Sequence, residues 1–186
     1  MSNSYLFGVL MPESYTHLDT KSDIYWNIVQ EGTYAEVEKS VGRTRTDVLT
    51  QVGEHVLAIE VQHTPIPMKS IIHRMHQHTL AGYHTLWLFT QELLNVRDEQ
   101  YAHNYKWVLF IQMLQDGMIF MPTNNTQIIP ARLDNSLRWN GDSLIAGRKI
   151  IEKKDPISLD DLSFDTNYGY NITTCKTVKW TIYTGD

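Results

Sequence analysis

Arg45-Thr-Asp-Val-Leu-Thr-Gln-Val-Gly-Glu-His-Val-Leu-Ala-Ile-Glu-Val-Gln62 holds two strand-like runs, 45–52 and 55–62, joined at Gly53-Glu54. A two-residue gap containing glycine between such runs predicts a tight antiparallel hairpin. A turn centred between Gly53 and Glu54 sets Asp47 across from Glu60. Side chains alternate along a strand, so Glu60 and Gln62 share a face while Ile59 and Val61 turn towards the core. Two carboxylates opposed on neighbouring strands repel. Glu60 also lies inside Val56-Leu-Ala-Ile-Glu-Val61, a run apolar enough for a central strand, where an unpaired charge is costly to bury. A cation between the acids relieves both problems, and so does an ion pair to Arg45 or Arg74.

Outward from this hairpin, Tyr34–Val41 alternates as a further strand, joined through Gly42-Arg43-Thr44. Before it, Ile24, Tyr25, Ile28 and Val29 recur at helical spacing within 12–32, with Gly32 as a stop. After it, Pro65 and Pro67 interrupt the strand pattern. Ile71, Ile72, Met75, Leu80 and Ala81 then fit a helix ending at Gly82, and Leu86–Phe89 reads as a buried strand. Helix, three strands, helix, strand is an α/β order in which the last strand lies parallel to the third through a helical crossover. Beyond about residue 95 the texture changes. Lys106–Leu114, Asp116-Gly117 and Met118–Met121 predict a hairpin, Asn124-Asn125 another turn, and 127–129 and 176–183 further strands. The expected organisation is a core over 13–95 and a β-rich C-terminal extension over 100–186.

The formal net charge of −5 counts against a non-specific polyanion binder. The charge is uneven, however. Lys39, Arg43 and Arg45 form a basic stretch without acids, and Asp155, Asp160, Asp161 and Asp165 an acidic one without bases. One cysteine, Cys175, excludes an internal disulfide framework and cysteine-rich zinc sites. The apolar run Leu6–Met11 lacks the basic flank of an export signal, and no run is long enough to span a membrane. A cytoplasmic protein is the expectation.

The segment 45–62 resembles the competence protein CoiA-like family of the PD-(D/E)XK nuclease superfamily, in the version with Gln where most members carry Lys. The matching residues are Arg45-Thr-Asp47-Val48 and Ala58-Ile59-Glu60-Val61-Gln62, followed by Arg74, Gly82 and Trp87. Upstream, His17-x-x-x-Lys21 and Glu38 match in kind. The resemblance implies a three-layer restriction-endonuclease-like core, a mixed sheet with flanking helices, that hydrolyses DNA phosphodiester bonds with Mg²⁺ or Mn²⁺. Such hard cations take oxygen ligands, keep several waters and need only one or two carboxylates. Asp47 and Glu60 would be the metal ligands, Gln62 a positioner of water or phosphate, and Glu38, Arg45 and Arg74 supporting groups. Lys39, Lys69 and Arg74 would meet nucleic acid. Two departures stand out: His78 where the pattern expects Tyr, and Gln62, which carries no charge and can act only through hydrogen bonds.

Other arrangements compete. Arg74 could grip a phosphate or pair with Glu60. His73, His76 and His78 share the second predicted helix but lack a zinc signature, and solvated helix histidines are expected there. His63, beside Gln62, is a potential proton shuttle. Trp87, Trp107 and Phe110 belong to apolar runs and are expected in the core, leaving Trp139 as the better exposed aromatic. The nuclease reading has a rival in a catalytically inactive nuclease fold that binds nucleic acid or a protein partner, for example as an inhibitor or regulator. A homodimer is also compatible with the sequence.

Overall fold

The computed structural model describes residues 15–90, 93, 106–133, 137–140, 143–146 and 150–175, with the backbone alone at 15–17, 137–140, 143–146 and 151. The first half runs α1 (Tyr15–Gln30), β1 (Ala35–Val41), β2 (Thr44–Val52), β3 (His55–Gln62), α2 (Met68–Leu80) and β4 (His84–Phe89). The second half runs α3 (Lys106–Leu114), β5 (Ile119–Pro122), β6 (Ile128–Leu133), β7 (Leu137–Asn140), β8 (Ser143–Ala146), β9 (Ile150–Lys153), β10 (Leu162–Asn167) and β11 (Tyr170–Cys175). The strand expected over 176–183 lies outside the described residues, as does the side chain of Trp139.

The first half follows the sequence pattern closely. β1, β2 and β3 form an antiparallel meander, and β4 pairs with β3 in parallel across α2. Gly42 and Gly53, at φ 57° and 58°, supply the left-handed turn positions. Gly42 has a second reason to lack a side chain, because a Cβ there would lie 2.2 Å from Gln77 Oε1. That same oxygen accepts the Arg43 amide at 2.9 Å, so the β1–β2 turn is docked on α2.

The described residues form one nine-stranded sheet in the order β1-β2-β3-β4-β5-β6-β9, with the β10–β11 hairpin joined through β11 to β4; β7 and β8 pair separately. The segments expected as core and extension therefore share a sheet. Beyond β3, the other edge of β4 is divided. β11 flanks its start, Ile172 against Thr85, and β5 flanks its end, Leu88 against Phe120. Between the two, the Trp87 amide donates to the side-chain Oε1 of buried Gln115 at 2.9 Å. One turn earlier, Gln112 performs the same service for β6, accepting the Leu133 amide at 3.0 Å.

One sequence expectation fails in the second half. Lys106–Leu114 is a helix and not the first arm of a hairpin. The run is apolar on almost every position and so shows no alternation that would mark either element. In the structure Trp107, Val108, Ile111 and Leu114 are buried at helical spacing. Asp116-Gly117 ends the helix instead of turning a hairpin: both residues are left-handed, at φ 55° and 77°, and the Gly117 amide returns to the Gln112 carbonyl at 2.8 Å.

Helices cover both faces of the sheet. On one, Ile24 and Ile28 of α1 pack over Val48, Leu57, Ile59, Val61 and Leu86. On the other, Ile71 and Met75 of α2 join the α3 residues over Trp87, Phe89 and Ile119. Trp87 and Trp107 are buried and Phe110 packs against them, as the sequence suggests. Gln115→Ala is expected to cost about 1–3 kcal/mol, since it leaves the Trp87 amide buried without an acceptor. Gln51→Ala, which removes an exposed bond to the Gly53 carbonyl, should change stability by less than about 0.5 kcal/mol; urea denaturation of both variants measures the difference.

Candidate functional site

Three acids are brought into one row across β1, β2 and β3. The β2–β3 register runs from Val52↔His55 to Val48↔Ile59, which carries Asp47 opposite Glu60 at the next step. The β1–β2 register pairs Val37 with Val48 and Lys39 with Thr46, leaving Glu38 opposite Asp47. Glu38 interrupts its strand with φ 53°, a conformation uncommon for a residue with a long side chain. Where the β2–β3 pairing ends, Asp47 itself takes over: its Oδ2 accepts the Val61 amide at 2.8 Å.

Every acid of the row meets a basic side chain. Lys21 of α1, only 4% exposed, pairs with Glu38 Oε1 and stands 3.7 Å from Asp47 Oδ1. Arg45 Nε lies 2.5 Å from Glu38 Oε2. Arg74 of α2 pairs through Nη1 with Glu60 Oε2. The other Glu60 oxygen faces His78 Nε2 at 3.5 Å, and neither of these buried atoms has a hydrogen-bond partner among the described residues. His78 Nδ1 is held at 3.1 Å from the Thr85 hydroxyl on β4.

Glu60 has no solvent exposure. Burial pushes its carboxyl up to about 8; the Arg74 guanidinium opposes this, and the Asp47 charge adds to it. His78 is equally buried, contrary to the solvated position expected of it, because α2 turns it inward beside Met75 and Ile71. Its desolvation, reinforced by Arg74, pulls it down to about 4 and keeps the ring neutral. His73 and His76, on the same helix, are exposed.

The other sequence candidates are distributed unevenly. Gln62 is buried at the end of β3, and its backbone carbonyl accepts the Thr90 amide at 3.0 Å. Arg74 engages Glu60, the second of the two partners open to it. Lys39 pairs with Glu36 on its own strand, at 2.8 Å. Lys69 is exposed at the start of α2 and contacts none of the acids. Lys21 is the site residue that sequence reasoning undervalued. The signal was present: Lys21 occupies the inward stripe of α1 with Ile24 and Ile28, where a basic residue needs a buried partner.

Asp47 and Glu60 provide hard oxygen donors, and the buried, unpartnered Glu60 Oε1 is a ligand position that a cation could complete. Among the described residues no group of three or more His, Cys, Asp or Glu side chains is arranged to hold a metal ion. The donor set therefore fits an ion that keeps most of its water and draws further ligands from a phosphate, and does not fit a closed protein cage.

The mixed sheet with helices on both faces is an α/β fold that fits a nuclease-like domain. Residues 13–166 match the family described as "Competence protein CoiA, nuclease-like domain", and the chain belongs to that family. The match continues past residue 100 into β10. Comparison with curated proteins and with solved structures found no match. Among the described residues no helix is long and apolar enough to cross a membrane.

Glu60 and His78 impose opposite pH dependences. The raised Glu60 contributes stability that is full below about pH 4.5 and is lost as pH rises through about 8. The lowered His78 contributes stability that is full above about pH 6.5 and is lost as pH falls through about 4. Glu60→Gln is expected to be close to neutral at pH 4.5 and to raise the melting temperature at pH 9. Thermal melts of both proteins across this range check it; a variant destabilised equally at every pH would contradict it.

Proposed function

We propose that this chain is a metal-dependent nuclease of the PD-(D/E)XK type, hydrolysing DNA phosphodiester bonds with Mg²⁺ or Mn²⁺. The observation that carries the reading is the neighbouring acids Glu38, Asp47 and Glu60 on adjacent strands, with a fully buried glutamate whose Oε1 has no hydrogen-bond partner among the described residues. Such an arrangement costs stability and is intelligible as a place kept for a cation, in a chain of a nuclease-like family. Asp47 and Glu60 would hold the ion. When bound, it would supply a water of lowered pKa and neutralise charge on the phosphoryl group. Gln62, at the end of the same strand, would orient water or phosphate by hydrogen bonding. Arg74 would exchange its carboxylate partner for a phosphate oxygen, a change its partly exposed guanidinium permits. Glu38, Lys21 and Arg45 would fix the position of Asp47, and Lys39 and Lys69 would meet the DNA backbone.

A second reading is favoured by the same ion pairs. With Arg74 on Glu60 and Lys21 and Arg45 on Glu38, the acids are already compensated by protein cations. Gln62 brings no positive charge. A domain so arranged could bind nucleic acid or a protein partner without cleaving anything.

Calorimetric titration of Mn²⁺ into the wild type and Asp47→Ala, followed by a DNA cleavage assay on the same samples, separates the two. The nuclease reading expects binding that vanishes in Asp47→Ala and cleavage that falls by more than roughly 100-fold. It also expects proton release on binding at neutral pH, visible as a buffer-dependent heat, because Glu60 must give up a proton held up to about pH 8. Absence of Mn²⁺ binding in the wild type would leave the second reading.

A further inference from the structure

Beside the acidic row, α1 and β1 enclose an open groove of about 630 Å³. Its walls carry large apolar side chains left in solvent: Trp26 at 55% exposure, Val37 at 45% and Leu18 at 44%. Three such residues around one cleft are more than the scattered exposure every surface shows. Tyr25 also lines the groove and meets the Trp26 ring edge-on, centroids 5.2 Å apart at 67°, which gives the aromatic wall a fixed partner.

Three features narrow the occupant. The charged lining is balanced, Lys21 and Arg45 against Asp19 and Glu38, so the groove offers its apolar walls to an uncharged group and no net attraction to a run of phosphates. β1 is the edge strand of the sheet, but Glu38 breaks its extended backbone at φ 53°. An added peptide strand would lose its ladder there. Lastly, Glu38 belongs to both the groove and the acidic row, and Lys21, which also lines the groove, reaches Glu38 and Asp47, so whatever fills the groove adjoins those two acids.

We propose that the groove between α1 and β1 is a nucleobase pocket, in which an unpaired base of single-stranded DNA stacks on Trp26 while its phosphate lies at the Asp47 end of the acidic row. A base in a duplex presents its edges in the grooves and keeps its faces stacked on its neighbours. An unpaired base offers the whole face, and aromatic stacking accepts any base. The inference deepens the nuclease reading and takes from it the position of the phosphate. Its own content is the strandedness of the ligand.

Fluorescence anisotropy of a labelled 12-nucleotide single strand and of the matching duplex, in EDTA at low salt, tests it without any cleavage. The wild type should bind the single strand more tightly than the duplex. Trp26→Ala should weaken single-strand binding roughly tenfold and leave duplex binding unchanged, while Trp26→Phe keeps most of the affinity. Val37→Asp, on the same groove and also exposed, should weaken the same binding. Equal affinities of Trp26→Ala and wild type for the single strand, no preference for it, or no binding at all would each overturn the proposal. Cleavage is then read separately with Mn²⁺. A chain that shows the Trp26 effect and never cleaves retains the pocket and loses the nuclease. A chain that cleaves while Trp26→Ala binds like wild type does the reverse.

Discussion

Burial of the Glu60 carboxylate is the constraint around which the rest of the site is arranged. A carboxylate with no solvent contact in the middle of a sheet must find a proton, a base or a cation. Arg74 answers from α2, and the pairing fixes how α2 is laid over β3. His78, one turn further along, is drawn against the second Glu60 oxygen and steadied by Thr85 of β4. The next strands repeat the logic at lower burial: Asp47 leans on the Val61 amide, and Glu38 on Lys21 and Arg45.

The result is a line of alternating charge that extends from the edge of the sheet to its interior. Its solvent end is adaptable, since Arg45 and Glu38 are both accessible. Its inner end is rigid and dry, the setting in which electrostatic interactions are strongest. A protein cation on Oε2 and a metal ion on Oε1 would compete for the charge of the one Glu60 carboxylate. The balance between them is therefore the property on which an active enzyme and a silent binding domain of the same fold would differ.

The sequence made this row legible because the information is local. The turn at Gly53 fixes the β2–β3 register within a few residues, and the alternation of side chains follows from it. The meander, α2 and β4 were legible for the same reason. The helix over 106–114 was not, since a segment apolar on every side looks alike as strand and helix until a partner is known. His78 continues the helical stripe of Ile71 and Met75, but the exposed, polar His73 and His76 beside it obscured that signal. The attachment of β11 to β4 leaves no periodic mark at all, as it is settled by contacts between residues far apart in the chain.

That attachment has a bearing on how the protein is made. Thr85 is flanked by Ile172, whereas the acids it helps to back lie between residues 38 and 60. On a ribosome the acidic row emerges early, and β4 then waits with part of its edge unpaired for several seconds of synthesis at about 5–20 residues per second. An open strand edge of that kind invites pairing with other chains. Nascent copies held close together on one messenger are the setting in which such mispairing would be most frequent.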